Sequence, residues 1–504
     1  MTQPKPPSTL LDVLASAPGG RTAIIAPETG ASVSYDSLRA QVFDMAAALC
    51  AAGIGPADRV AITLPNGPAT IVSFLAASLA GTAAPLNPAY RCEEFRFYLD
   101  DTNARVLVAP PEGAEEARRA AQEKGLPILA AATDAAGVTR LAGASGPSVD
   151  FTPAPDHTAL VLHTSGSTGR PKRVPLTHFN LAVSIENIVN TYNLSPDDVS
   201  LCLMPLFHVH GLMASLMATF QSGGAVVAPA RFNPLSFWRT VRDHRVTWYS
   251  AVPTIHQLIL ARIGAERPAG AEQLRFIRSC SAPLAPETAQ RIEDLVGAPV
   301  LEAYGMTEAS HQMASNPLPP AARKFGTVGC GTGVHISILD DQGNHLPSGG
   351  LGEVVIQGPN VIQGYENNPE ANATSFADGW FRTGDQGILD AEGYLRLTGR
   401  LKELINRGGE KISPREIDEA LLTHPAVAEA VAFGVAHPTW GEEVNAAVVL
   451  REPASEADLI AYCRDRLADF KCPKKVHVVE SIPLTATGKI QRGNVAKTLA
   501  GADK

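Results

Sequence analysis

Residues 163–178 read "HTSGSTGRPKRVPLTH" and follow directly on the apolar run "ALVL" at 159–162. A short apolar run that breaks into a Gly/Ser/Thr cluster reads as a strand feeding a turn. Gly166 and Gly169, small hydroxyls on either side and Lys172 together allow backbone N–H groups to converge on an anion. The spacing is G-x-x-G-x-x-K, not the G-x-x-x-x-G-K-[ST] of a Walker loop. Taken alone, the string fits a phosphate cradle of another kind or a plain turn between two elements. Arg173, directly after Lys172, either adds a phosphate contact or points outward from the surface, and the outward position is the expectation.

Outward from this loop the chain alternates strand-like and helix-like segments. "RVAITLP" (59–65) precedes "ATIVSFLAASLAG", "VSLCLMP" precedes "GLMASLMATFQSGG", and "VTWYSAVP" precedes "TIHQLILARI". "LRFIRSCS" then leads to "PETAQRIEDLVG". Such repetition predicts an α/β fold with parallel sheets covered by helices on both faces. The Ala/Gly-rich stretch 111–148 reads as surface helix and loop. After about Gly331 the pattern turns to strands and turns, with "HISILDDQGNHLPSGGLGEVVIQGP" reading as hairpins and "GYLRLTGR" closing a β subdomain. From Arg400 a fresh α+β pattern begins. Its helix "SPREIDEALLTHP" is expected to start on an N-cap Ser413, with Glu416 closing a capping box. The expected division is therefore 1–399 and 400–504, the second part being about 100 residues, an ordinary size for a domain.

The 504 residues exceed one ordinary core. A net charge of −9 argues against a general nucleic-acid binder. Seven dispersed cysteines, none paired at metal-ligand spacing, read as reduced thiols, and with no signal-peptide pattern at the start they predict a cytoplasmic protein. No apolar run approaches the ~20 residues that cross a bilayer, and the terminal "GADK" is not a peroxisomal address.

Three further stretches carry chemistry. "YGMTEAS" (304–310) puts Thr307 and Glu308 just past the strand "PVLEA", where a carboxylate can hold a Mg²⁺ that bridges nucleotide phosphates. "WFRTGDQG" holds Asp385 in what reads as a tight turn, suited to both hydroxyls of a ribose. "PLTATGKIQR" places Lys489 after a Gly-containing turn. Each has an ordinary structural reading: a solvated loop glutamate, a turn aspartate, a surface lysine. Their order along one chain is far more specific than any of them.

"TSGSTGRPK", "YGMTE", "TGD", "GRLKELINRGGEKISP" and "TGKIQR" together resemble the signatures of the acyl-adenylate-forming enzymes, across nearly the whole chain. That superfamily includes acyl-CoA synthetases, luciferases and the adenylation domains of peptide synthetases. The resemblance implies a large N-terminal domain of two α/β subdomains plus a β subdomain, and a small mobile α+β C-terminal domain. It implies a reaction in two halves with ATP, Mg²⁺ and coenzyme A: formation of an acyl-AMP, then transfer to the CoA thiol. By resemblance, Thr164, Ser165, Gly166, Ser167, Thr168, Gly169 and Lys172 hold the leaving pyrophosphate. Thr307 meets the α-phosphate and Glu308 the metal, while Asp385 and Arg400 take the ribose. Glu302, Ala303, Tyr304 and Gly305 surround the adenine together with Ser281, Ala282 and Pro283. Lys489 serves the adenylation half; Lys402 is the hinge that removes it and brings in Gly408, Gly409 and Glu410. Arg173 departs from the family, whose loop has glycine after the lysine. If that glycine has positive φ, arginine there is strained.

Longer strings resemble the oxalate–CoA ligases within this superfamily: "PLFHVHGLMASL", "TWYSAVPTIHQLIL", "LRFIRSCSAPLAP" and "EAYGMTEASHQMASNPLP". A second carboxylate on the acid needs donor or cationic partners, since an unpaired buried charge is costly. His208, His210, Ser281 and His311 lie in the segments that line the family's acyl pocket, with His208 also counted among the catalytic groups. Each alone could be a hydrogen-bonded core residue. Malonate or another short acid, and a carrier-protein-directed adenylation enzyme, remain open alternatives; so does a non-catalytic nucleotide sensor, against which the intact motif residues argue. Small molecules, not nucleic acid or a membrane, are the expected partners of a monomer or homodimer.

Overall fold

Two paired strands bracket residues 165–170. In the computed structural model, which describes residues 6–147, 149, 151–164, 171–264, 266–484 and 490–502, the strand Thr158–Thr164 pairs antiparallel with Lys172–Thr177. Both belong to a seven-stranded sheet with five parallel strands at its centre: Ile128–Thr133, Ala104–Ala109, Arg59–Ile62, Thr82–Pro85 and Thr158–Thr164. The stretch expected as surface helix and loop supplies two strands here after its helix Glu115–Glu123: Ile128–Thr133 and, at the edge, Thr139–Leu141. In Ile128–Thr133 a run of three alanines stands where β-branched residues ordinarily announce a strand.

A second, nine-stranded sheet has a parallel centre of six strands. These are Val300–Met306, Phe276–Ser279, Trp248–Ala251, Val199–Cys202, Ala225–Val227 and Thr22–Ala26. The middle strands Trp248–Ala251 and Phe276–Ser279 are buried at every residue, as parallel strands covered on both faces must be. One hydrophobic core joins the two sheets, running from Ile24, Trp248 and Phe276 to Val60, Val106 and Leu160. The helix Pro68–Ala80, with proline in its first turn and ten buried residues, is part of that core. This is the α/β fold that the alternation predicts.

The β subdomain is a five-stranded antiparallel sheet built on His335–Leu339, Leu351–Gln357 and Trp380–Leu389, with Leu395–Arg400 on its flank. Beyond it, Ile405–Arg407, Glu410–Ile412, Val427–His437, Gly441–Leu450 and Lys475–Val478 form a separate sheet. That sheet has its own core around Ile405, Ile417, Leu421, Val444, Leu459 and Cys463. A large N-terminal and a small C-terminal domain result, and the expected 399/400 boundary falls at the end of the strand Leu395–Arg400.

The helix Pro414–Leu422 begins after Ser413 as expected, yet the capping box does not form. Ser413 Oγ donates instead to the backbone oxygen of Thr398, and Glu416 pairs with Lys471 at 2.7 Å. Arg415 adds a bond to Leu397 O at 2.9 Å. The first turn of this helix thus ties the small domain to the last strand of the large one.

Candidate active site

Thr164 and Lys172 face each other across the hairpin that carries the glycine-rich loop; Ser165, Gly166, Ser167, Thr168 and Gly169 lie outside the described residues. Lys172 Nζ sits 4.3 Å above the ring of Tyr365. Burial pulls its ammonium below the usual lysine range; the nearby Glu308 charge opposes this and Lys402 adds to it. Thr307 and Glu308, both 5% exposed, occupy a 3₁₀ turn at the carboxyl end of Val300–Met306. Tyr365 donates to Glu308 Oε1 at 2.8 Å, and Thr164 Oγ1 donates to the same oxygen at 3.4 Å. The donor set is hard oxygen, which suits Mg²⁺. Among the described residues no cluster of three metal-ligating side chains exists, so a magnesium ion here would take its remaining ligands from phosphate and water.

Asp385 lies inside the strand Trp380–Leu389, not in a tight turn. The turn signal has a physical source: Gly384 adopts φ 72° where the pairing with Leu351–Gln357 slips. That bulge aims Asp385 at two partners. Tyr304 donates its hydroxyl to Asp385 Oδ2, and Arg400 Nε lies 3.0 Å from Oδ1. Burial and the adjacent carboxylate push the Tyr304 phenol well above its ordinary range. Glu302 is buried in the same strand as Tyr304 and accepts from Leu284 N at 3.2 Å, just beyond Ala282 and Pro283. Burial raises its carboxyl to about 7, against the lowering effect of Arg415. Ala303 is buried beside it, and Gly305 is required by contact, since a Cβ there would stand 2.1 Å from His311 O.

The four acid-pocket candidates come together. His210 Nδ1 is 3.0 Å from Ser281 Oγ, the His210 and His311 rings stack at 5.1 Å, and His208 Nδ1 accepts from His210 N. His210 opens a π-helical segment, His210–Met217, a geometry concentrated at functional sites. Ser281 (φ 74°), Ser310 (φ 54°) and His311 (φ 115°) all hold left-handed backbone, the strain expected where function overrides propensity.

Behind the histidines stands Arg278, which the sequence reading missed. It is fully buried in the strand Phe276–Ser279. Nε donates to Tyr192 Oη (2.8 Å), Nη1 to Ser250 Oγ (2.9 Å) and Nη2 to Gln312 Oε1 (3.0 Å). His311 Nε2 lies 3.1 Å from Nη2. Among the described residues no carboxylate pairs with it. An arginine in a strand that must be covered on both faces is the signal that could have found it.

Lys402 lies in the 3₁₀ turn Leu401–Glu403 after Arg400. Gly408 and Gly409 take φ 62° and 96° in the turn between Ile405–Arg407 and Glu410–Ile412, where the Trp440 ring packs against Gly408. Lys489 lies outside the described residues. A cleft of about 540 Å³ opens beside the pocket segments, lined by Asn66, Met204, Phe207, Arg231 and Thr254.

Arg173 is not outward-pointing. It is 9% exposed and donates to Asp101 O, with Nε 3.4 Å from Asp101 Oδ2 and 3.5 Å from Glu366 Oε2. Arg59 grips Glu366 with two bonds (2.8 and 2.6 Å), and His163 meets Asp101 at 2.9 Å. The guanidinium satisfies two carboxylates inside the protein, and the position takes no left-handed φ.

A fold of this kind, with these strings at its strand ends, defines an adenylate-forming enzyme. Residues 11–366 match the family described as AMP-binding enzyme, and residues 416–489 match the AMP-binding enzyme C-terminal domain; the chain belongs to this family. It is 50% identical to an oxalate–CoA ligase of Arabidopsis thaliana over 88% of this chain and 89% of that one. It is 44% identical to an oxalate–CoA ligase of Saccharomyces cerevisiae over 96% and 95%. ATP-bound MatB from Rhodopseudomonas palustris superposes with a TM-score of 0.90 at 31% identity, covering 99% of this chain and 100% of that one. The apo form of the same protein, with the same coverage, gives 0.79. The fold is therefore laid out more nearly as in the ATP-bound structure.

Proposed function

We propose that the protein joins oxalate to coenzyme A through an oxalyl adenylate. In the first half, a carboxylate oxygen of oxalate attacks the α-phosphorus of ATP, the bond to the bridging oxygen breaks, and pyrophosphate leaves. In the second, the CoA thiolate attacks the acyl carbon and AMP leaves with the bonding pair. The observation that carries the choice of acid is the fully buried, carboxylate-free Arg278 behind the stacked His210 and His311. An apolar acid gains nothing from such surroundings, whereas the carboxylate of oxalate that does not react needs them. The 50% identity with an enzyme of that activity supports the same reading.

The first half gathers anions, so positioning and charge neutralisation are the main catalytic tasks. Lys172, Thr164 and the loop between them take the pyrophosphate side, and Thr307 the α-phosphate. Magnesium, when bound, is held by Glu308 and offsets the phosphate charge. Asp385, oriented by Tyr304 and Arg400, receives the ribose hydroxyls. Residues 302–305 and the turn 281–283 flank the adenine. Ser281, His208, His210 and His311 hold the acid. The cleft beside Phe207 and Arg231 is roomy enough for the extended arm of a thiol. Lys489 acts in adenylation; rotation of residues 400–504 about Lys402 then withdraws it and presents Gly408, Gly409 and Glu410 to the acyl centre. No helix among the described residues is long and apolar enough to cross a membrane, and the seven thiols are free. Both fit a cytoplasmic enzyme acting on small molecules as monomer or homodimer.

Oxalate-dependent exchange of labelled pyrophosphate into ATP without CoA, followed by AMP and oxalyl-CoA once CoA is added, tests this reading. Exchange driven by oxalate is the expected result. ATP cleavage to ADP, or exchange that oxalate does not raise, would overturn it.

A further inference from the structure

Arg278 dictates where the protons of the pocket histidines sit. Its guanidinium is a donor and never an acceptor at any accessible pH. His311 Nε2, 3.1 Å from Arg278 Nη2, must therefore present its lone pair to the arginine. Ser250 Oγ accepts from Arg278 Nη1 at 2.9 Å and lies 2.6 Å from His210 Nε2. With its oxygen turned to the arginine, the hydroxyl proton of Ser250 is directed to His210 Nε2. A proton on that nitrogen would also face Nη1 at 3.4 Å, donor against donor. Both rings are thus acceptors on the Nε2 side and carry their proton on Nδ1.

The Nδ1 sides have other neighbours. His210 Nδ1 is 3.0 Å from Ser281 Oγ, so an Nδ1–H there donates to the serine and leaves its hydroxyl proton free for an anion. His311 Nδ1 lies toward Gly305, 3.2 Å from where a Cβ on that residue would stand. A second proton on either ring would have to point at a buried guanidinium that among the described residues has no carboxylate to offset it. Among the described residues, Tyr192 from the helix His178–Tyr192, Gln312 and Ser315 from the strand His311–Ser315, and Cys280, two residues on along the chain, also stand around this centre. His256 lies against the Arg278 backbone, and His208 against the backbone of His210. None of them is a carboxylate.

We infer that Arg278 is the positioning residue of the acid pocket: it locks His210 and His311 as neutral Nδ1–H donors and supplies the fixed positive charge for the carboxylate of the acid that does not react. This rests on the oxalate reading for its substrate, but not for its tautomers. Ring-nitrogen NMR of the full-length protein, labelled with ¹⁵N-histidine and assigned through H210N and H311N, reads the tautomers without any substrate. Nδ1–H at both rings at neutral pH is expected; an imidazolium or an Nε2–H at either ring overturns the inference.

Kinetics give the second arm, on a wild-type enzyme first shown to turn over oxalate, so that a wrong acid is recognised separately. R278M should lower kcat/KM for oxalate about 100-fold, as expected for loss of charge-assisted bonding, with a much smaller loss for acetate. It should also add an ionisation near the ordinary imidazole range, around pH 6.5. R278K, which keeps the charge, should recover about tenfold for oxalate. Equal losses for oxalate and acetate, an unchanged pH profile, or no recovery by lysine would mean that Arg278 merely fills the core.

Discussion

Replacing Arg173 by glycine, the residue usual at this position in the family, separates a structural from a phosphate role. The arginine side chain is 10% exposed and stands between Asp101 and Glu366. Orphaning a buried ion ordinarily costs about 3–5 kcal/mol. Here Glu366 keeps its double bond to Arg59 and Asp101 keeps His163, so a loss of about 2 kcal/mol is the reasonable share. Glycine inside a strand adds roughly 0.5–1 kcal/mol, for about 3 kcal/mol in all. With an unfolding entropy of about 2.1 cal/mol/K per residue over roughly 400 residues, that lowers the melting temperature of the large domain by about 3–4 °C. Differential scanning fluorimetry reads this shift, and steady-state kinetics should find KM for ATP within about twofold of wild type, since no phosphate contact is lost. An unchanged melting temperature together with a tenfold rise in KM for ATP would refute the reasoning and return Arg173 to the phosphate cradle.

Glu302, whose carboxyl is raised to about 7 by burial, disfavours the folded state when ionised. Its stability contribution is whole below the unfolded value near 4.5 and is lost as pH rises through about 7. E302Q should therefore be more heat-stable than wild type at pH 8, by about 3 kcal/mol, with the gap closing near pH 4.5; a gap that persists at low pH would rule out this origin. Tyr365→Phe removes a donor from Glu308 and should raise the Mg²⁺ concentration for half-maximal adenylation several-fold at unchanged melting temperature; an unaltered Mg²⁺ dependence would dissociate Glu308 from the metal. Lys489→Ala should abolish pyrophosphate exchange while thioester formation from presynthesised oxalyl-AMP survives. Equal loss of both half-reactions would contradict alternation.

Much of the fold could be read because helix starts and parallel strands announce themselves locally: Pro68, Pro253 and Pro286 each open a helix directly after a strand or its turn. The strand Ile128–Thr133 escaped because its run of three alanines gives no β signal. Ser413 looks like a cap in sequence, but a tertiary partner, Thr398, takes its hydroxyl. Asp385 was found by motif yet placed in the wrong local structure, because Gly384 marks a bulge as readily as a turn. The histidines of the site were legible as a group, whereas Arg278 was not. Periodicity in a strand buried on both faces does not distinguish inward from outward residues, and its partners come from four separate elements: Tyr192, His210, Ser250 and Gln312. Arg173 failed for the same reason, as Asp101 and Glu366 lie 72 and 193 positions away along the chain.

The measurement that bears most directly on the account is kcat/KM for CoA-thioester formation with ATP and Mg²⁺, taken side by side for oxalate, malonate, acetate and hexanoate. Oxalate should lead by at least about tenfold, the least that one charge-assisted bond to the second carboxylate is worth. Acetate or hexanoate matching or exceeding oxalate would contradict the anion pocket built on Arg278, His210 and His311; malonate in the lead would keep the pocket and contradict the acid.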